Sequence, residues 1–182
     1  MSEQSPPELF LFCPRCGRRN SSGTVGNIFA CADCGLRYYF NPTVAVAVFI
    51  ERENGDILLI RRGKEPARGK LAPPGGFVDI GETAEDAVRR EIREEVGLDL
   101  KAVYFLCSAP NRYDYGGVRY PVLDFFFTAS VPDGAAPAAL EEVESFQWVN
   151  PREIKPDELA FQSMRAAFAQ WREGRTKKEK KA

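Results

Sequence analysis

The stretch Gly76–Leu98, GFVDIGETAEDAVRREIREEVGL, constrains the chain most, because it reads as a helix with badly placed charges. Thr83, followed three residues later by Asp86, forms a capping box and starts a helix at about Ala84. Gly97 stands where such a helix stops. Glu91, Glu94 and Glu95 then share one face near the C-terminal end. Glu91 and Glu95 repel each other at i,i+4, at a cost of about 0.2–0.5 kcal/mol. All three also sit at the negative end of the helix dipole. Arg89, Arg90 and Arg93 offset part of this cost. Hard oxygens so grouped suit Mg²⁺ or Mn²⁺, and a solvated charged face is the competing reading.

Composition narrows the remaining chemistry. The chain has 182 residues, 44% of them hydrophobic, enough for one domain with a core and a small appendage. It contains no histidine, which removes Ser-His-Asp and Cys-His catalysis and every His-containing metal site. A net charge of −1 and a pI near 5.7 leave no electrostatic footprint for duplex nucleic acid, and nucleic acid is not an expected partner. No run of apolar residues is long enough to span a membrane. The opening MSEQSPPELF lacks the basic region and apolar core of a secretory leader, so the expected location is cytoplasmic.

Four of the five cysteines form a pattern. Cys13-Pro14-Arg15-Cys16-Gly17 and Cys31-Ala32-Asp33-Cys34-Gly35 are two CxxCG knuckles, 14 residues apart. Four thiolates so spaced make a closed, structural zinc site, with a pair of disulfides as the alternative. Nothing in the sequence points to the secretion that disulfides would require. Cys107 stands alone in an apolar segment and reads as a small buried hydrophobe.

The expected class is α+β: an α/β/α sandwich with a mixed sheet, preceded by a small zinc ribbon. Residues 1–9 are expected to lack fixed structure, 10–40 to form the ribbon, 41–173 the main domain and 174–182 a charged tail. Strands are expected at 28–30 and 37–40, then over the apolar run Thr43–Glu51 and its hairpin partner Asp56–Arg62 across Asn54-Gly55. Residues 63–75 and the aromatic, polar stretch Ser108–Tyr120 read as loops, with strands at 100–107, 121–131 and 145–149. Asp157 is expected to cap a last amphipathic helix carrying Leu159, Met164, Ala167, Phe168 and Trp171.

The spacing Gly76, Glu82, Arg90-Glu91-Ile92-x-Glu94-Glu95-x-Gly97-Leu98 resembles the Nudix box at every specified position. The resemblance implies metal-assisted hydrolysis of a nucleoside diphosphate linked to another group. It implies that Glu91 and Glu95 are the strongest ligands for Mg²⁺ or Mn²⁺. Glu94 matches a position that binds metal and serves as base in some members, Arg90 orients the carboxylates, and the Gly75 carbonyl matches a further ligand. An acid outside the box is expected from the 141–144 run, with Glu142 favoured over Glu141 and Glu144.

A ribbon followed by a Nudix domain is the layout of NADH pyrophosphatases and of some FAD or ADP-ribose pyrophosphatases. Ser108-Ala109-Pro110 keeps two positions of the NADH enzymes' fixed motif, but Asn111-Arg112-Tyr113-Asp114 replaces the rest. The additional N-terminal domain usual in those enzymes is not evident either, so strict NADH specificity is not expected. Arg112, Tyr113 and Tyr115 are candidates to contact a base, and packing is their alternative role. The expected partner is a nucleotide substrate, with a homodimer compatible with the chain. A nucleotide-sensing regulator whose ribbon binds nucleic acid or protein, and a house-cleaning triphosphate pyrophosphatase, are the alternative functions.

Overall fold

The computed structural model describes residues 4–20, 24–140 and 143–179, with side chains to Arg175. The chain divides into two compact units, Met1–Thr43 with Arg112–Val122, and Val44–Asn111 with Leu123–Ala182.

The first unit is built on β1 (Thr24–Val25), β2 (Ile28–Ala30) and β3 (Arg37–Tyr39), an antiparallel sheet in that order. Its register places Thr24 opposite Phe29 and Phe29 opposite Tyr38, so these three share one face. That face is filled: Phe29 is fully buried, and Phe10 packs on Phe29, Tyr38 and Phe40 with ring centroids 4.6–5.6 Å apart. Gln4–Leu9 were expected to lack fixed structure. Instead, Pro6–Leu9 form a 3₁₀ turn whose start is closed by Ser5 and Glu8, because two prolines pre-set the turn. Gln4 then exchanges backbone hydrogen bonds with Gly117 and Arg119, which groups the 112–122 segment with this unit.

The second unit is ordered around β4 (Thr43–Glu51), whose residues 46–50 are all buried. With β5 (Ile57–Arg62), β6 (Leu71–Ala72), β7 (Tyr104–Tyr115), β8 (Val118–Ser130) and β9 (Val143–Val149) it forms a mixed six-stranded sheet. The order is β6-β5-β4-β8-β7, and β9 pairs with β5. Helices α1 (Ala84–Val96) and α2 (Gln162–Glu179) complete the sandwich. Phe49 of β4 meets Phe168 and Trp171 of α2 at 6.0 and 5.7 Å, with Phe126 of β8 beside it. Each such buried aromatic contributes about 1.5–3 kcal/mol. Below that cluster, the Ser163 hydroxyl on α2 donates 2.5 Å to the buried Asp124 carboxylate on β8.

Three expectations are corrected. Ser108–Tyr120 is not a loop: β7 and β8 run on to a tight turn at Gly116-Gly117, both with positive φ as a two-residue hairpin requires. Pro110 fits within β7 because β7 is the edge strand. Asp157 does not cap the last helix; it lies in a separate 3₁₀ turn, Pro156–Glu158, and α2 begins at Gln162. That helix continues to Glu179 through the expected tail, since Lys and Glu are good helix formers. Among the described residues no helix is long and apolar enough to cross a membrane.

Candidate active site

Helix α1 starts and stops where its local chemistry dictates. The Thr83 side chain accepts from the Asp86 backbone N–H, and Gly97 adopts the left-handed conformation that ends the helix. Ala87, Val88, Ile92 and Val96 form its buried stripe, which leaves Arg90, Glu91, Glu94 and Glu95 on the remaining surface.

Facing them is the segment Pro74–Val78, held against β4 by backbone bonds. Val46 N–H donates to Gly76 at 2.8 Å, Val48 N–H to Pro74 at 3.0 Å, and Val78 N–H to Val44 at 3.0 Å. The Gly75 carbonyl lies between the two that this ladder uses. A side chain at either glycine would meet a neighbour at once. A Cβ on Gly75, at φ 146°, would lie 2.2 Å from the Val46 carbonyl oxygen. A Cβ on Gly76 would lie 2.5 Å from Glu91 Oε1. Gly76 is therefore the seat of the Glu91 carboxylate, and in the sequence it shows only as the glycine that opens the box.

Arg90 organises the carboxylates. Its Nε and Nη2 form a fork on Glu82 at 3.0 and 2.9 Å. Its Nη1 reaches Glu91 at 2.8 Å and Glu94 at 3.0 Å, and Nη2 also donates to the Phe77 carbonyl at 2.9 Å. The expected orienting role takes a particular form: the bidentate partner is Glu82, ahead of the helix, and Glu91 and Glu94 receive single bonds. Glu82 also accepts from the Asp79 N–H at 3.1 Å, tying the loop to α1. Glu95 accepts from the Gly75 N–H at 2.8 Å.

The electrostatics follow from this arrangement. Hydrogen bonds from Arg90 hold the Glu82 carboxyl below the usual carboxylate range. Burial pushes Glu91 up, against the pull of Arg90. Hydrogen bonding to Glu82 pushes the Arg90 guanidinium further up. Glu91 and Glu82 side chains are each 15% exposed, whereas Glu94 is 46% exposed. The glutamates line up along the loop without closing into a tight set: among the described residues, the four ribbon cysteines alone bring three or more such ligand atoms within 4.8 Å of one another. Three glutamates on one arginine, with Glu95 held on the adjoining loop, still leave an excess of hard, negative oxygen, and that donor set fits a divalent cation.

Further residues fall as follows. Glu142 lies outside the described residues. Leu140, two residues before it, donates its N–H to the Glu95 backbone carbonyl at 2.9 Å, and Glu144 is exposed on β9. Arg112, Tyr113 and Tyr115 lie on the outer part of β7, grouped with the first unit, whereas α1 belongs to the second. The Tyr113 and Tyr115 rings are 6.4 Å apart, as i,i+2 neighbours on one strand face. Arg61, Arg62 and Lys70 are held by carbonyls of Gly69, Pro66 and Asp157.

In the ribbon, Cys13 and Cys34 sulfurs are 3.7 Å apart, as are those of Cys16 and Cys31. A disulfide needs about 2.05 Å. Zinc–sulfur bonds of about 2.3 Å at tetrahedral angles separate sulfurs by about 3.8 Å. The cluster thus fits zinc and is no pair of disulfides. Burial raises the Cys13 thiol, but the N–H groups of Cys16 and Arg15 outweigh it and bring its pKa down to about 7.

The family model described as NUDIX domain matches residues 41–171. The chain belongs to the Nudix family. It is 34% identical over 139 residues to an NAD-capped RNA hydrolase NudC of Deinococcus radiodurans, covering 75% of this chain and 48% of that protein. It is 49% identical over 84 residues to an ADP-ribose pyrophosphatase of Methanocaldococcus jannaschii, covering 45% of this chain and 49% of that protein. The chain spans about half the length of these curated relatives. A MutT Nudix hydrolase structure from Burkholderia pseudomallei superposes with a TM-score of 0.62 at 30% identity, covering 71% of this chain and 98% of that one.

Proposed function

We propose that this chain hydrolyses the pyrophosphate bond of a nucleoside diphosphate linked to another group, NAD(H), ADP-ribose or FAD-like, releasing a nucleoside monophosphate. The observation that carries the reading is the excess of glutamate gathered by Arg90 over the Gly75-Gly76 loop. The names of the two relatives support a dinucleotide or ADP-ribose type of substrate.

Mg²⁺ or Mn²⁺ held by Glu91, Glu94, Glu95, Glu142 and the Gly75 carbonyl would screen the pyrophosphate charge and acidify water. The chain's own residues do the rest. Arg90 fixes Glu91 and Glu94 in place, so no reorganisation is needed as charge develops. Glu94, the most exposed of the three bonded to Arg90, is the residue best able to take a proton from water. Glu95 is set against the loop backbone by its bond to Gly75. The described flank of the 141–144 run, through Leu140, supports assigning Glu142 to the same site.

The test is a screen of NADH, NAD, FAD, ADP-ribose and diadenosine polyphosphates with Mg²⁺ and Mn²⁺, run beside Glu95→Gln. A loss of about three orders of magnitude in kcat with an unchanged melting curve is expected. Near-normal turnover in that variant would sink the assignment.

A further inference from the structure

The two flanks of the acidic 141–144 run meet at one side chain, Arg52. Strand β4 ends at Glu51, and Arg52 opens the turn into β5, its N–H donating to the Asp56 carbonyl at 2.9 Å. Its Nη2 donates to the Ala135 carbonyl, upstream of the run, at 3.0 Å. Its guanidinium carbon lies 3.8 Å from the centre of the Trp148 ring, downstream of the run on β9. Trp148 is itself held opposite Leu58 of β5. Closer in, the Val143 N–H donates to the Leu140 carbonyl at 3.3 Å. A cation that stacks on one flank and donates to the other fixes the distance between them.

The upstream flank continues to the helix that carries the glutamates. Ala138 N–H donates to the Val96 carbonyl at 3.1 Å, and Leu140 N–H to that of Glu95 at 2.9 Å. Both carbonyls lie in the last turn of α1, where the helix has no partner of its own to offer them. The start of this segment is fastened to the Arg52 turn as well. Val131 N–H donates to the Glu51 carbonyl at 2.9 Å, and Asn54 N–H to the Asp133 carboxylate at 3.3 Å.

Packing alone does not account for a guanidinium at this position. Arg52 Nε and Trp148 Nε1 are both buried and find no acceptor among the described residues. Burying idle donors opposes folding, and an apolar side chain would fill the same space without them. What the arginine adds is its bond to Ala135 and its charge over Trp148.

We propose that Arg52 is a positioning residue for hydrolysis, clamping the two flanks of the 141–144 run so that its acid meets the divalent cation. The inference rests on the function proposed above, in which Glu142 is that acid. Arg52 acts through the Ala135 backbone and the Trp148 ring.

Arg52→Met, which fills the space without a donor, and Arg52→Lys, which keeps a charge and a donor, test it in the full, zinc-loaded chain. Before Mg²⁺ or Mn²⁺ is added, amide exchange at Ala138 and Leu140 should quicken at least about tenfold in Arg52→Met, with the Ala87 amide and the melting curve unchanged. Mn²⁺ binding followed by electron paramagnetic resonance should weaken about tenfold, and kcat on ADP-ribose should fall by a similar factor with KM kept. Arg52→Lys should recover both to within about threefold. In a Glu142→Gln background Arg52→Met should cost less than about twofold further, because both changes remove one contribution. Glu141→Gln and Glu144→Gln are run beside it, and the background in which the loss disappears identifies the acid. A full further loss in all three would overturn the proposal. So would Arg52→Lys behaving like Arg52→Met, unaltered exchange and Mn²⁺ binding, or faster exchange with turnover kept, which would leave only a structural brace. Near-normal turnover in Glu95→Gln sinks the proposed reaction itself; with that variant inactive, each of these failures counts against Arg52 alone.

Discussion

The two units of this chain are held together by different physics. The first has one fully buried large side chain, Phe29, within its sheet, and its knuckles close around four sulfurs. The second buries Phe49, Phe126, Phe127 and Phe168 with a full set of aliphatic residues around β4. A small unit cannot bury enough apolar surface to offset its ordering entropy, and four thiolates that fit zinc are its counterpart of a core. A larger one can, and it is then free to keep misplaced charges on α1. The lesson is that stability and chemistry are supplied separately: zinc-type thiolates for one unit's shape, a hydrophobic core for the other's tolerance of clustered glutamates.

Perturbations that act on one unit and spare the other test this division. Stripping the ribbon's metal with a chelator, or making Cys13→Ser, should remove the largest stabilisation, since structural zinc contributes about 10–16 kcal/mol to such modules. Calorimetry should then show the ribbon transition lost and the main one kept; a single transition that moves as a whole would break the comparison. Phe168→Ala should do the reverse, costing the main transition about 3–5 kcal/mol with zinc content unaltered.

Within the second unit the adjacent glycines separate fold from function. Gly75→Ala meets the β4 backbone and a positive φ, and should cost about 2–5 kcal/mol by denaturant melts. Gly76→Ala meets only the movable Glu91 carboxylate, so stability should change by less than about 1 kcal/mol. Its kcat should nevertheless fall about a hundredfold, because a displacement of this size disturbs the site.

The smallest effect concerns pH. Burial pushes the Asp124 carboxyl up from its ordinary 3.8, so the folded state favours its protonated form. Its contribution is therefore full below pH 3.8 and is lost as pH rises through the raised value. Asp124→Asn should flatten stability across that window, and an unaltered pH profile would show that Ser163 and Asn111 already compensate the charge.

What the sequence disclosed was what its local chemistry determines. The ends of α1 were readable because Thr83, Asp86 and Gly97 act on their own neighbours, and Thr43–Glu51 because its apolar run suffices for a buried strand. The β7–β8 hairpin was not, since Pro110 and Gly116-Gly117 carry loop signals that only its place at the sheet edge overrides. The start of α2 was misplaced because Asp157, a good cap, serves a turn of its own. In the site, the box positions were legible one by one. That Glu82 takes the fork of Arg90, and that Gly76 is the floor beneath Glu91, depends on a chain reversal that no spacing encodes.

The Arg90 guanidinium has five N–H donors, and its five bonds to Glu82, Glu91, Glu94 and Phe77 use as many. A saturated cation has nothing left to offer an incoming phosphate. Arg90 therefore cannot double as an arginine finger on the leaving group. Lysine, with three donors on a single atom, could keep the charge at this position and still lose the shape.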